Sequence, residues 1–99
     1  MAIGIPVNIG KIEDFCRHWK VTELALFGSV VRGDFAKGSD VDVLVTFARD
    51  AHVGLITLSK MERELSAMFG REVDLVTKGG LKPLIREEVL SQAEVLYAA

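Results

Sequence analysis

Residues 21–47 read VTELALFGSVVRGDFAKGSDVDVLVTF. Val21 to Phe27 is a nearly continuous apolar run that stops at Gly28, which predicts a short buried strand. Asp40 to Phe47 alternates instead. Val41, Val43, Val45 and Phe47 fall on one face, and Asp40, Asp42, Leu44 and Thr46 on the other, the period of a strand with one face against a core. Between them, residues 28–39 hold three glycines and several polar side chains, with a helical turn available at Val30, Val31 and Arg32.

The flanking segments alternate helix and strand signals. Ile9, Ile12, Phe15, Cys16 and Trp19 recur at helical spacing behind Asn8, an N-capping residue type. Residues 48–54 read as a loop. Leu55, Leu58, Met61, Leu65, Met68 and Phe69 trace a second amphipathic helix, with Glu62 beside the stripe and Gly70 as its stop. Glu72 to Val76 predicts a third short strand, and Lys78-Gly79-Gly80 a turn. Pro83 suits the first turn of a last helix with apolar positions Leu84, Ile85, Val89, Ala93 and Leu96. The order is α-β-β-α-β-α. It predicts one α/β (α+β) domain over residues 1–99: a small mixed three-stranded sheet with helices packed on one face.

Composition bounds the function. Ninety-nine residues suffice for one core and not for two. A net charge of −2 gives no bulk support for nucleic-acid binding. The N-terminal MAIGIPVNIG lacks the basic region of a secretory signal, and no apolar run approaches the length of a membrane span, so a cytoplasmic protein without membrane contact is expected. The single cysteine, Cys16, reads as apolar filler in the first helix, and His18 and His52 as ordinary surface residues. Trp19, Met61, Met68 and Phe69 fall on helical stripes and read as core.

The chemistry concentrates in residues 28–42. A strand ending at Gly28 and a turn opening at Ser29 offer close backbone approach, a hydroxyl and outward N–H groups, which together suit a phosphate. Asp40 and Asp42, two apart on a strand, send both carboxylates from one face. Like charges so placed repel unless a cation lies between them, and Mg²⁺ favours one or two carboxylates completed by water and phosphate oxygens. In Glu72-Val73-Asp74-Leu75-Val76, Asp74 faces away from Val73 and Leu75. If that strand lies beside Asp40–Phe47, Asp74 joins the pair, and three carboxylates on one sheet face suit a two-metal site. The plainer readings are a solvated edge strand for the aspartates and a simple strand-ending turn for Gly28-Ser29. Arg32 either grips a phosphate or pairs with Asp34 or a site aspartate. Ser39 either touches nucleotide or braces the second strand.

The stretch GSVVRGDFAKGSDVDVLV resembles the signature of the DNA-polymerase-β-type nucleotidyltransferase superfamily: Gly-Ser, ten residues, then Asp-x-Asp. By average residue usage such a pattern arises by chance in about one chain in a thousand of this length. The likeness is greatest to the minimal nucleotidyltransferases, short stand-alone domains often encoded beside a HEPN-domain toxin. Arg32-Gly33, Ser39 and the later Arg71-Glu72-Val73-Asp74-Leu75-Val76 fit that group, and the resemblance spans Val21 to Val76. It implies a metal-dependent transferase with Asp40, Asp42 and Asp74 as catalytic and metal-binding acids, and Gly28, Ser29, Arg32 and Ser39 at the nucleotide. It also implies two Mg²⁺ ions, ATP as substrate, and a tyrosine hydroxyl on a HEPN toxin as acceptor, which would make the protein an antitoxin acting by AMP transfer. The alternative is a binding module that neutralises its partner by steric contact, through a last helix carrying Leu84, Ile85, Val89 and Leu96. Homodimer and hetero-oligomer both remain open from the sequence.

Overall fold

The computed structural model describes residues 7–32 and 40–99. Helix α1 (Ile9–Trp19) starts at Asn8, whose side chain accepts from the Lys11 amide at 3.1 Å. Strand β1 (Val21–Phe27) follows, then a single helical turn, α2 (Ser29–Arg32). Strand β2 (Val41–Phe47), helix α3 (Leu55–Phe69) and strand β3 (Val73–Thr77) come next. A 3₁₀ turn (Lys78–Gly80), helix α4 (Pro83–Gln92) and strand β4 (Glu94–Ala98) complete the chain.

Among the described residues the sheet has four strands in the order β3-β2-β1-β4. β1 runs antiparallel to both β2 and β4, and β2 runs parallel to β3. The mixed sheet was expected, but the fourth strand was not. Helical spacing in the sequence continues the last helix to Leu96. Instead Ala93 turns extended (φ −64°, ψ 138°), and Glu94–Ala98 covers the open edge of β1. Pairing shifts between Leu24↔Tyr97 and Ala25↔Val95, so Leu96 is a bulge residue, and both Leu96 and Tyr97 pack against the main core.

The alternation in β2 divides the molecule. Val41, Val43 and Val45 join Leu24 and Leu26 of β1, Val73 of β3, Ile12, Phe15 and Cys16 of α1, and Met61, Leu65 and Phe69 of α3 in one cluster. Trp19 and Met68 are half-buried at its rim. Burial in this cluster pushes the Cys16 thiol up to about 12, as apolar filler should behave.

The helices do not all lie on one face, as the sequence suggested. α1 and α3 cover the face just described, whereas Val89 of α4 and Ala93 just after it pack on the other, against Ala25, Leu44 and Leu81. Four stripe positions are exposed: Ile9, Leu55, Leu84 and Ile85, each in the first turn of its helix. α3 ends at Gly70, whose positive φ of 68° lets its amide return to the Ser66 carbonyl. Among the described residues no helix is long and apolar enough to cross a membrane.

Candidate active site

The site lies on the α4 face, where β1 ends and β2 and β3 begin. Parallel pairing sets Asp42 directly beside Asp74. Side chains at paired positions of neighbouring strands leave the same face, with backbones about 4.8 Å apart. This is the juxtaposition the sequence made conditional on strand order. Val41 N donates to Glu72 O at 2.8 Å, which carries the ladder one step past β3 and fixes the register next to the acids.

On the other side of β2, Phe27 pairs with Asp42, and Gly28 comes immediately after. Gly28 adopts a φ of 76°, a conformation that disfavours any residue with a Cβ. A Cβ there would also collide with Asp42 Oδ2. Glycine is therefore required twice, for the turn and for the carboxylate that lies over it. The Val31 amide returns to the Gly28 carbonyl at 3.1 Å and closes α2 into its single turn.

Asp40 stands exposed one residue before β2, which begins at Val41 rather than at Asp40. It shares the parity of Asp42 and lies at the same end of the sheet. Among the described residues, no group of three or more Asp, Glu, His or Cys side chains is gathered closely enough to hold a metal ion. The structure thus brings Asp42 and Asp74 into register and leaves Asp40 at the margin. Ser29 and Arg32 bound α2, but their side chains fall outside what is described. Ser39 and Asp34 lie outside the described residues altogether.

α4 forms the wall of the site. A cleft of about 310 Å³ is lined by Phe27, Gly28 and Asp42 from the sheet and by Ile85, Glu88, Val89 and Gln92 from α4. Those four recur at i, i+3, i+4 and i+7, one face of a helix. Sequence reasoning missed Glu88 and Gln92 as site residues. The signal was present in that spacing, but reading it needed the knowledge that Val89 turns toward the sheet.

The donor set suits a hard divalent cation. Two carboxylates on adjacent strands destabilise each other when nothing positive is near. Mg²⁺ takes one or two carboxylates and draws its remaining oxygens from water and phosphate, so the pair with a bare glycine turn beside it fits that ion.

The nucleotidyltransferase domain family matches residues 10–96 of the chain. The chain belongs to that family. A protein adenylyltransferase MntA from Thermococcus cleftensis is 43% identical over 85 residues, covering 86% of this chain and 82% of that protein. A crystal structure of a toxin–antitoxin with AMP-PNP contains a similar chain, with a TM-score of 0.76 at 25% identity, covering 94% of this chain and 75% of that one. The same fold recurs in a complex of tri-AMPylated Shewanella oneidensis HEPN toxin with MNT antitoxin. There the TM-score is 0.67 at 22% identity, and the match covers 92% of this chain and 70% of that one.

Proposed function

We propose that this nucleotidyltransferase moves AMP from ATP to a tyrosine hydroxyl on a HEPN-type toxin, and so acts as the toxin's antitoxin. The observation that carries the reading is the register of β2 and β3, with Asp42 beside Asp74 and Gly28 against the Asp42 carboxylate. The 43% identity to a protein adenylyltransferase supports the donor half, and the likeness to a toxin–antitoxin chain supports the acceptor half.

In this reading Asp40, Asp42 and Asp74 would hold two Mg²⁺ ions, which supply positive charge against the triphosphate. Gly28 gives the phosphates close access to the backbone, and Ser29 and its following amides receive the β and γ groups. Arg32 and Ser39 flank the nucleotide. Asp74 takes the proton of the incoming hydroxyl. The hydroxyl oxygen bonds to the α-phosphorus, the α–β bridging bond breaks, and pyrophosphate leaves. Pocket-facing Glu88 and Gln92 of α4 meet the nucleotide or acceptor from the far wall.

Labelling decides it. With α-labelled ATP, Mg²⁺ and the HEPN partner, the wild type transfers label to a partner tyrosine, located by mass spectrometry, and an Asp40→Asn/Asp42→Asn variant does not. No label on the partner would sink the acceptor assignment. Equal Mg-ATP affinity of wild type and variant by titration calorimetry would sink the nucleotide assignment.

A second reading rests on α4 and α3, where Leu84 is 96% exposed, Leu55 82% and Ile56 76%. Such side chains suit a protein contact, and neutralisation by contact alone needs no turnover. An Asp40→Asn/Asp42→Asn variant that still neutralises the toxin in cells would favour it.

A further inference from the structure

Among the described residues β3 is an edge strand, paired with β2 alone. In a parallel ladder the amides of alternate residues point to opposite sides, so one set faces β2 and the other faces outward. Two of the outward set, those of Val73 and Leu75, are taken up by α3. Leu75 N donates to Glu62 Oε2 at 2.9 Å, and Val73 N donates to Ser66 Oγ at 3.0 Å. Both bonds are partly buried, and both acceptors are half-exposed side chains of one helix.

These amides belong to the residues on either side of Asp74. The match in length is close. Four residues of helix rise about 6.0 Å, and two residues of strand about 6.6 Å. α3 returns through Gly70 and runs against the direction of β3, so Glu62 meets the later residue and Ser66 the earlier one. Two points of attachment fix both the advance and the twist of the strand between them. On its inner side the same segment is held by pairing to β2, including Val41 N to Glu72 O. A charged acceptor makes the Glu62 bond the stronger of the two attachments.

We propose that Glu62 and Ser66 are positioning residues for Asp74: they hold the edge strand from outside so that this carboxylate stays level with Asp42. The proposal rests on the reading of Asp74 as the third acid of the site. Simple protection of a sheet edge would call for acceptors anywhere along β3. Here they bracket the one acid in the strand.

The test uses the full chain labelled with ¹⁵N, with Mn²⁺ and a non-hydrolysable ATP analogue as probe. Amide exchange at Val73 and Leu75 reads the attachment, and electron paramagnetic resonance reads Mn²⁺ affinity. Glu62→Leu is expected to speed exchange at Leu75 and weaken Mn²⁺ binding about tenfold, the usual effect of removing a group that orients a ligand. Glu62→Gln keeps a carbonyl acceptor and restores both. Ser66→Ala produces the same pair of changes at Val73, smaller in size, and stands in if the leucine variant does not fold. Faster exchange with unchanged Mn²⁺ affinity in both variants, or unchanged exchange, overturns the proposal. Asp74→Asn separates the two levels. If it weakens Mn²⁺ binding and Glu62→Leu does not, only the positioning role fails. If Asp74→Asn leaves Mn²⁺ affinity untouched, the third-acid reading fails and takes the positioning role with it.

Discussion

On one face of the sheet, Val41, Val43 and Val45 of β2 meet Leu24 and Leu26 of β1, and α1 and α3 close over them until each is almost fully buried. On the other face, Asp42 of the same strand stands between Phe27 and Asp74, and α4 leans over it with exposed side chains. One heptapeptide, alternating by single residues, therefore supplies both the wall of the core and the floor of the cleft. The two faces differ in what a substitution removes. Behind the strand it removes dispersion contacts and leaves a void. In front of it, at Asp42, a substitution removes charge and leaves the packing of Leu44 and Ala25 in place.

Two variants set those faces against each other. Asp42→Asn should lower AMP transfer by roughly 10²–10³, the range seen when one preorganised electrostatic group is lost. Its stability in urea should stay within about 1 kcal/mol of wild type. Leu65→Ala, on the packed face, should cost about 3 kcal/mol of stability through the cavity it opens. Transfer per folded molecule should hold. Denaturation curves and initial rates on the same samples check both. A Leu65→Ala protein that is stable but inactive would mean that the faces are coupled and the division is wrong.

Gly28→Ala probes the seam between them. The added methyl meets a left-handed backbone and the Asp42 carboxylate together. The backbone term alone should cost about 1–2 kcal/mol. The displaced carboxylate should lower transfer as well, so this variant is expected to lose on both measurements where the first two each lose on one. Full activity with lowered stability would show that Asp42 has room to move without consequence.

The same contrast explains what the sequence could disclose. β2 was readable because its alternation is local, and Asp42 followed from it. The face of Asp74 was readable too, but its place beside Asp42 was not, since register depends on which strands become neighbours. β4 was hidden by Leu84, Ile85, Val89, Ala93 and Leu96, whose spacing continues a helix smoothly. What ends that helix is the open edge of β1, a partner more than sixty residues away. Glu88 and Gln92 stayed invisible for a related reason. Nothing in their neighbours says which side of α4 faces the sheet. Glu62 looked like a solvated residue beside a stripe, because its partner is a main-chain amide and main-chain amides carry no sequence signal.

The smallest expected effect concerns the end of α1, on the packed side. Lys20 is the only non-glycine residue with positive φ among those described (58°). It occupies the capping position after Trp19, with its amide returned to Cys16 O and its carbonyl accepting from Ala48 N at 2.8 Å. Glycine takes this conformation without the Cβ penalty, so Lys20→Gly should stabilise the fold by about 0.5–1 kcal/mol through the backbone. Against this stands the loss of the Lys20 Nζ–Asp50 Oδ2 pair at 3.2 Å, exposed at both ends and therefore of little weight. The hydrogen bond from Lys20, and then its charge, hold the Asp50 carboxyl below the usual carboxylate range. A lowered folded-state value means that the pair contributes above the unfolded value and fades as pH falls through the folded one. The variant has no such contribution to lose. Its advantage over wild type should therefore widen only once the pH falls below the usual carboxylate range, and urea midpoints at pH 7 and below that range measure it. A variant less stable than wild type at both pH values would mean that the lysine stem packs usefully against the end of α1. The packed face would then extend further toward solvent than the buried cluster alone suggests.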